Sequence, residues 1–259
     1  MRVSETASIP YCGSPPTAAT IDGRWNLDPV LLAALLGIAL LYYLRVGREK
    51  TRREAWCFGL GWATTALALV SPLCALSVSL FAARVGQHMI LTLVAAPLIA
   101  LGLPASRRRV PGQELCAALA FAMALWIWHS PRPYDATFLS TAVYWTMHVT
   151  TWGAAVFFWW TVLRAPASRF GISIAATVAT GLQMALLGAV ITWARAPLYW
   201  PHFVTPIGWG FTPLQDQQLG GTLMWVPGGS IFLAAIIVPL AIVLRRPAYG
   251  ARAGAMRGA

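Results

Sequence analysis

Seven apolar stretches dominate this sequence, at roughly 28–46, 55–71, 86–103, 114–129, 142–163, 171–193 and 217–244. Each approaches the ~20 residues needed to cross ~30 Å of hydrocarbon. Backbone polar groups in lipid must be satisfied inside the segment, so such stretches have to be helices. The expected fold class is therefore all-α: a polytopic membrane protein with seven transmembrane helices. Pro72, Pro104, Pro131 and Pro197 stand just beyond the expected helix ends, where proline stops a helix. The membrane domain takes residues 28–244, between an N-terminal segment, 1–27, and a basic tail, 245–259. Only 10% of the residues are charged, against about 25% in a soluble domain. That leaves too little polar surface to coat a globule of this size. No apolar core of a signal peptide stands in the first 25 residues, and no internal repeat or separate soluble domain is visible.

The net charge of +11 raises the question of nucleic acid, and its placement answers it. Arg45, Arg48, Lys50, Arg52 and Arg53 crowd the first expected loop, and Arg107, Arg108 and Arg109 the third. Alternate loops carry one Arg each: Arg84, Arg132 and Arg195. Assigned to the two sides of a membrane, 14 of the Lys and Arg residues fall on one side and 5 on the other. Positive residues mark the cytoplasmic side, so the N-terminus is expected outside and the C-terminus in the cytoplasm of a bacterial inner membrane. Thirteen Trp and seven Tyr suit two aromatic belts contacting membrane lipid. No nucleic-acid partner is implied.

With this topology all four histidines lie toward the outer side: His88 in the third span, His129 at the end of the fourth, His148 in the fifth and His202 in the last outer loop. Tyr144, His148, Thr151 and Trp152 share a helix face. On the seventh span Asp216, Gly220 and Met224 stack at i, i+4 and i+8, flanked by Gln217, Gly221 and Gly228. Glycines allow close helix approach, and Pro227 frees backbone carbonyls that something must satisfy. An ionisable residue within a span usually faces the bundle interior or a watery cavity. Imidazole, thioether and carboxylate near an outer mouth suit a transition metal, and the first two favour copper, Cu(I) in particular. The expected metal residues are His88, His148, His129, Asp216 and Met224. Zinc would want a fuller set of Cys, His and carboxylate. Met89 and Met147 adjoin histidines, but adjacent helical residues point about 100° apart, so neither shares an ion with its neighbour. Gln183 and Met184 are further candidates for the same cavity. His202 is expected to matter little, as a loop residue without fixed geometry. The four cysteines form no CxxC pair, so no thioredoxin-like site or zinc ribbon is indicated. Cys12 and Cys74 both lie outside, which leaves a disulfide open.

Several segments carry a family resemblance: Gln87-His88-Met89 through Pro97, Trp128-His129 with Pro133-Tyr134-Asp135, Phe158-Trp159-Trp160, Pro197-Leu198-Tyr199, and Asp216-Gln217-Gln218-Leu219-Gly220 through Met224-Trp225-Val226-Pro227-Gly228-Gly229. In these the chain resembles the multi-pass CtaG-type cytochrome c oxidase assembly factors over most of residues 80–240. The resemblance implies a role in maturing the haem–copper oxidase, delivering or holding copper for its binuclear centre, with subunit I as partner and no catalytic turnover. Family members often carry a second histidine four residues before those of the third and fifth spans. Here Arg84 and Tyr144 take those places, and Met147 stands where Glu often precedes the fifth-span histidine. Two alternatives remain from the residues themselves. One is a haem-binding membrane electron carrier with His88 and His148 as axial ligands; the other is a copper transporter. A retinal protein is excluded, because the only lysine, Lys50, lies in a loop.

Overall fold

The computed structural model describes residues 9–46, 50–105 and 110–245, and every element among them is helical. The helices are α1 (Pro29–Arg45), α2 (Arg52–Val70), α3 (Leu73–Ser79), α4 (Phe81–Gly102), α5 (Gln113–Trp128), α6 (Pro131–Leu139), α7 (Thr141–Leu163), α8 (Phe170–Thr192) and α9 (Pro213–Arg245). Local chemistry sets several starts. The Asp28 carboxylate accepts from the N–H groups of Val30 and Leu31 ahead of Pro29, and Thr51 and Glu54 form a reciprocal capping box at α2. Within α4, residues Ile90–Ala95 form a π-helical segment just ahead of Pro97. Proline cannot donate into the helix ladder, and its ring crowds the carbonyl four residues back; widening the preceding turn relieves both problems.

Three helices are long and apolar enough to cross a bilayer: α4, α9, and α8 together with the turn before it. A fourth span arises if α2 and α3, bent by 49°, count as one broken crossing. The expected seven spans are thus met in part. α1 and α5 are apolar but short, and α7 has the length yet carries Trp, Thr, Tyr and His that dilute its apolar character. The connection that holds Arg84, between the second and third expected spans, is helical: α3 and the first turn of α4 fill it. α6 was not expected at all. The basic residues of the 104–113 loop that carry the charge asymmetry, and the tail beyond Arg245, lie outside the described residues.

α9 is the organising element, packed along both α8 and α4. Its small residues permit this. A Cβ on Gly221 would stand 2.7 Å from the Thr192 backbone nitrogen and 2.8 Å from the Gly188 oxygen, and one on Gly220 would strike the Phe81 ring. Among α4, α5, α7 and α9, Phe81, Phe121, Phe158, Trp159 and Phe232 belong to one buried aromatic core. α1 is peripheral: only Leu31 and Leu35 are buried, and Leu36, Leu40, Leu41 and Leu44 face outward.

The two ends of the bundle differ. At one end Arg164 pairs with Glu54 at 2.8 Å and donates to the carbonyls of Leu101 and Leu103, closing the C-terminus of α4; Lys50 lies 3.5 Å from Glu54. At the other end lie the histidines, α3, α6, and the short 3-10 turns Trp200–His202 and Thr205–Trp209 of the last loop. The N-terminal segment is tied to this second end. Asn26 donates to Val70, Ser79 donates to Pro16, and Cys12 and Cys74 form a disulfide. A cross-link over a sequence separation of 62 is worth about 4 kcal/mol by loop entropy. Reduction is therefore expected to lower the detergent melting temperature by several degrees. Two thiols, Cys57 and Cys116, should alkylate without reductant and four with it. Four reactive thiols before reduction would contradict the bond.

Candidate functional site

The histidine end is built from α4, α5 and α7. One turn of α4 supplies Arg84, Gln87 and His88, all buried. Gln87 donates to the Ala68 carbonyl and fixes this face against α2. The π segment follows directly, and its Thr92 carbonyl, off the regular ladder, accepts from the Trp159 indole at 2.8 Å. α5 ends at His129, whose backbone carbonyl accepts from the Tyr199 hydroxyl. α7 presents Tyr144, Met147, His148 and Thr151 on one buried face, as its sequence spacing requires.

Three of the five expected metal residues come together. The His88 ring centroid lies 5.1 Å from that of His148 and 6.3 Å from that of His129, edge to face in both cases. All three are at least 93% buried. His129 Nδ1 contacts the Leu125 carbonyl at 2.7 Å, and His148 Nδ1 contacts the Tyr144 carbonyl at 3.1 Å. A carbonyl only accepts, so each Nδ1 carries the proton and each Nε2 keeps its lone pair. This is the way metal-ligating histidines are commonly held. The Nε2 atoms of His88 and His148 are buried without a hydrogen-bond partner. Two imidazoles sharing an ion at metal–nitrogen distances of about 2.0–2.1 Å place their centroids roughly 5–6.5 Å apart. The observed separations fall in that range. Among the described residues no group of three or more His, Cys, Asp or Glu is already converged on one point. The trio is a set of neighbouring buried rings.

Asp216 and Met224 do not join it. The Asp216 carboxylate, fully buried, accepts from the N–H groups of Phe81 at 2.7 Å and Ala82 at 3.0 Å. It caps α4 from α9, serving the exposed donors of a helix start. Met224 is buried in the aromatic core. Gln183 accepts from Trp126 on α5, and the Met184 methyl meets Gly228. The layer beyond the histidines is filled by Trp159, stacked on Phe232 at 5.5 Å. Met147 is core, fully buried against Arg84.

His202 departs from expectation. It is 2% exposed, shares a 2.7 Å hydrogen bond with the Tyr134 hydroxyl through Nε2, and packs its ring edge-on against Phe138. Burial, with Arg84 adding, lowers its pKa to about 3, so it stays neutral at physiological pH. It pins the last loop onto α6, and Thr205 donates to the Ser79 carbonyl beside it. In α6, burial raises the Asp135 pKa to about 6.

Sequence reasoning also missed what surrounds the trio. Tyr144 stacks on Tyr11 of the N-terminal segment at 4.8 Å, touches both sulfurs of the Cys12–Cys74 disulfide, and lies 4.2 Å from the His148 ring. The N-terminal segment thus roofs the histidine cluster. Cys12 and Cys74, expected on one side of the membrane, were the one sequence signal of this roof.

The family model described as cytochrome c oxidase caa3 assembly factor (Caa3_CtaG) matches residues 37–246. No curated protein and no solved structure matches the chain.

Proposed function

Because the chain belongs to the cytochrome c oxidase caa3 assembly factor family, we propose that it serves oxidase assembly by holding copper at the external face of the membrane and passing it on. The observation that carries this reading is the buried trio His88, His129 and His148, with two unpartnered Nε2 atoms and two Nδ1–H groups fixed on backbone carbonyls. Imidazole nitrogens suit copper. Asp216 and Met224 hold the framework around them. The family role is non-catalytic, and no chemistry of turnover is needed here: binding, shielding and release suffice.

The receiving partner on this reading is subunit I of the oxidase, which houses the copper of the binuclear centre. A haem between His88 and His148 fits less well. Two imidazoles on opposite sides of one iron stand about 6.4 Å apart, centroid to centroid, at metal–nitrogen distances near 2 Å, whereas these rings are 5.1 Å apart. Copper transport is also less favoured, because the aromatic layer of Trp159 and Phe232 closes the path beyond the trio.

Two experiments test the reading. Anaerobic titration of the purified protein with Cu(I) should show one tightly bound ion, lost in the His88→Ala, His148→Ala double variant. Equal binding by both proteins would place the ion elsewhere. The second addresses topology: seven crossings in a bacterial inner membrane, with the N-terminus outside. The charge asymmetry supports this, and the attachment of the N-terminal segment to the histidine end puts those two on one side. Single-cysteine reporters near Arg108 and after Arg246 should label only from the cytoplasm, and those near His129 and Trp209 only from outside. External labelling of the 104–113 loop would invert the scheme.

A further inference from the structure

Resting on the copper reading, we propose that the Arg84 guanidinium sets the charge selectivity of the histidine site, admitting a monovalent soft cation and rejecting divalent ones. Arg84 is 2% exposed. Its guanidinium carbon lies 5.1, 4.5 and 5.6 Å from the ring centroids of Tyr134, Phe138 and Tyr144. One terminal nitrogen donates to Thr137 Oγ1 at 2.7 Å and to the Met147 sulfur at 3.6 Å, and Nε has no partner. Among the described residues no carboxylate pairs with it. Asp216, which caps the start of α4 from α9, is occupied by the N–H groups of Phe81 and Ala82. An arginine does not deprotonate in a protein, so this is a permanent buried charge held by ring faces and neutral acceptors.

That charge borders the trio. Arg84 stands one helical turn before His88, and the Tyr144 ring beneath its guanidinium lies 4.2 Å from the ring of His148. None of the three imidazoles supplies negative charge, so an ion entering here meets net positive charge. Coulomb repulsion is proportional to the ion's charge and is stronger away from water. A divalent ion is therefore opposed about twice as strongly as a monovalent one. Imidazole affinity alone would favour Cu²⁺ and bind Zn²⁺ well. A fixed neighbouring cation is a simple means of reversing that order without changing the ligands.

The test compares Cu(I), added anaerobically against a competing chelator, with Zn(II) added against a chromophoric one. It uses the purified protein and the variants Arg84→Gln, Arg84→Lys and Thr137→Asp. Arg84→Gln removes the charge. Thr137→Asp neutralises it in place, because the new carboxylate stands where Thr137 now accepts from Arg84, and it keeps the test decisive if Arg84→Gln does not fold. Both should raise Zn(II) affinity by about tenfold or more while changing Cu(I) affinity several-fold less. Arg84→Lys keeps the charge and should retain the parent's preference. Zn(II) affinity unchanged in both neutralised proteins, or an equal shift for the two ions, would overturn the role of Arg84 and leave the copper site standing. Failure of the parent protein to bind Cu(I) would overturn both.

Discussion

Replacing His88 or His148 with alanine is expected to lower oxidase activity in cells by about tenfold or more, with the assembly factor still inserted and folded. Each replacement removes one of few neutral ligands, and two or three imidazoles leave no spare. Folding should survive for a reason visible in the structure. The Nε2 atoms of both residues are unpartnered already. The Nδ1 bond of His148 goes to a carbonyl of its own helix, so no distant element loses an anchor. Added copper should restore part of the activity if affinity alone has fallen. His202→Ala should behave differently. It strips the Tyr134 hydroxyl of a buried partner and loosens the last loop, at a cost of about 1–3 kcal/mol. Its effect should therefore appear as reduced thermal stability and abundance, with copper affinity of the folded fraction unchanged. Immunoblotting the membranes beside the activity assay separates the two behaviours.

Replacing Asp216 with alanine is expected to be the most damaging single change to the fold. Its two oxygens satisfy the first N–H groups of α4 from α9, inside a fully buried junction. Alanine leaves two buried donors unpaired and removes a negative group from a helix N-terminus, for a loss of about 3–5 kcal/mol. Asparagine can still accept from one of the two donors and should lose roughly half as much. The prediction is that Asp216→Ala fails to accumulate in membranes, whereas Asp216→Asn accumulates at reduced level and binds Cu(I) normally in the folded fraction. Normal abundance of Asp216→Ala combined with lost copper binding would instead make Asp216 a ligand.

The all-helical character was legible because an apolar run in a membrane has one backbone solution. The bounds of the long helices lie within a few residues of the apolar stretches, since proline and charge end both. α3 and α6 escaped because Leu73–Ser79 and Pro131–Leu139 are too short for a repeating apolar face. The pairing of His88 with His148 followed from shared depth and helix face. The deeper assignment of Asp216 did not. Its i, i+4, i+8 stripe with Gly220 and Met224 does face the bundle, but what a carboxylate meets there depends on which helix end lies opposite. The start of α4, at Phe81, fell inside a stretch read as loop. The burial of His202 and Arg84 was hidden for the same reason, since both are enclosed by α6. Sequence spacing reveals which residues share a face and is silent on what an unforeseen helix brings to it.

The most direct test of the account is the copper content of the oxidase itself, purified from cells whose only assembly factor is the His88→Ala, His148→Ala double variant. Abundance of the variant in the membrane should first be matched to the parent protein. The account predicts an oxidase with its haem in place and its binuclear centre short of copper. A full complement of copper in that enzyme would contradict it and leave the histidine cluster without a part in metal delivery.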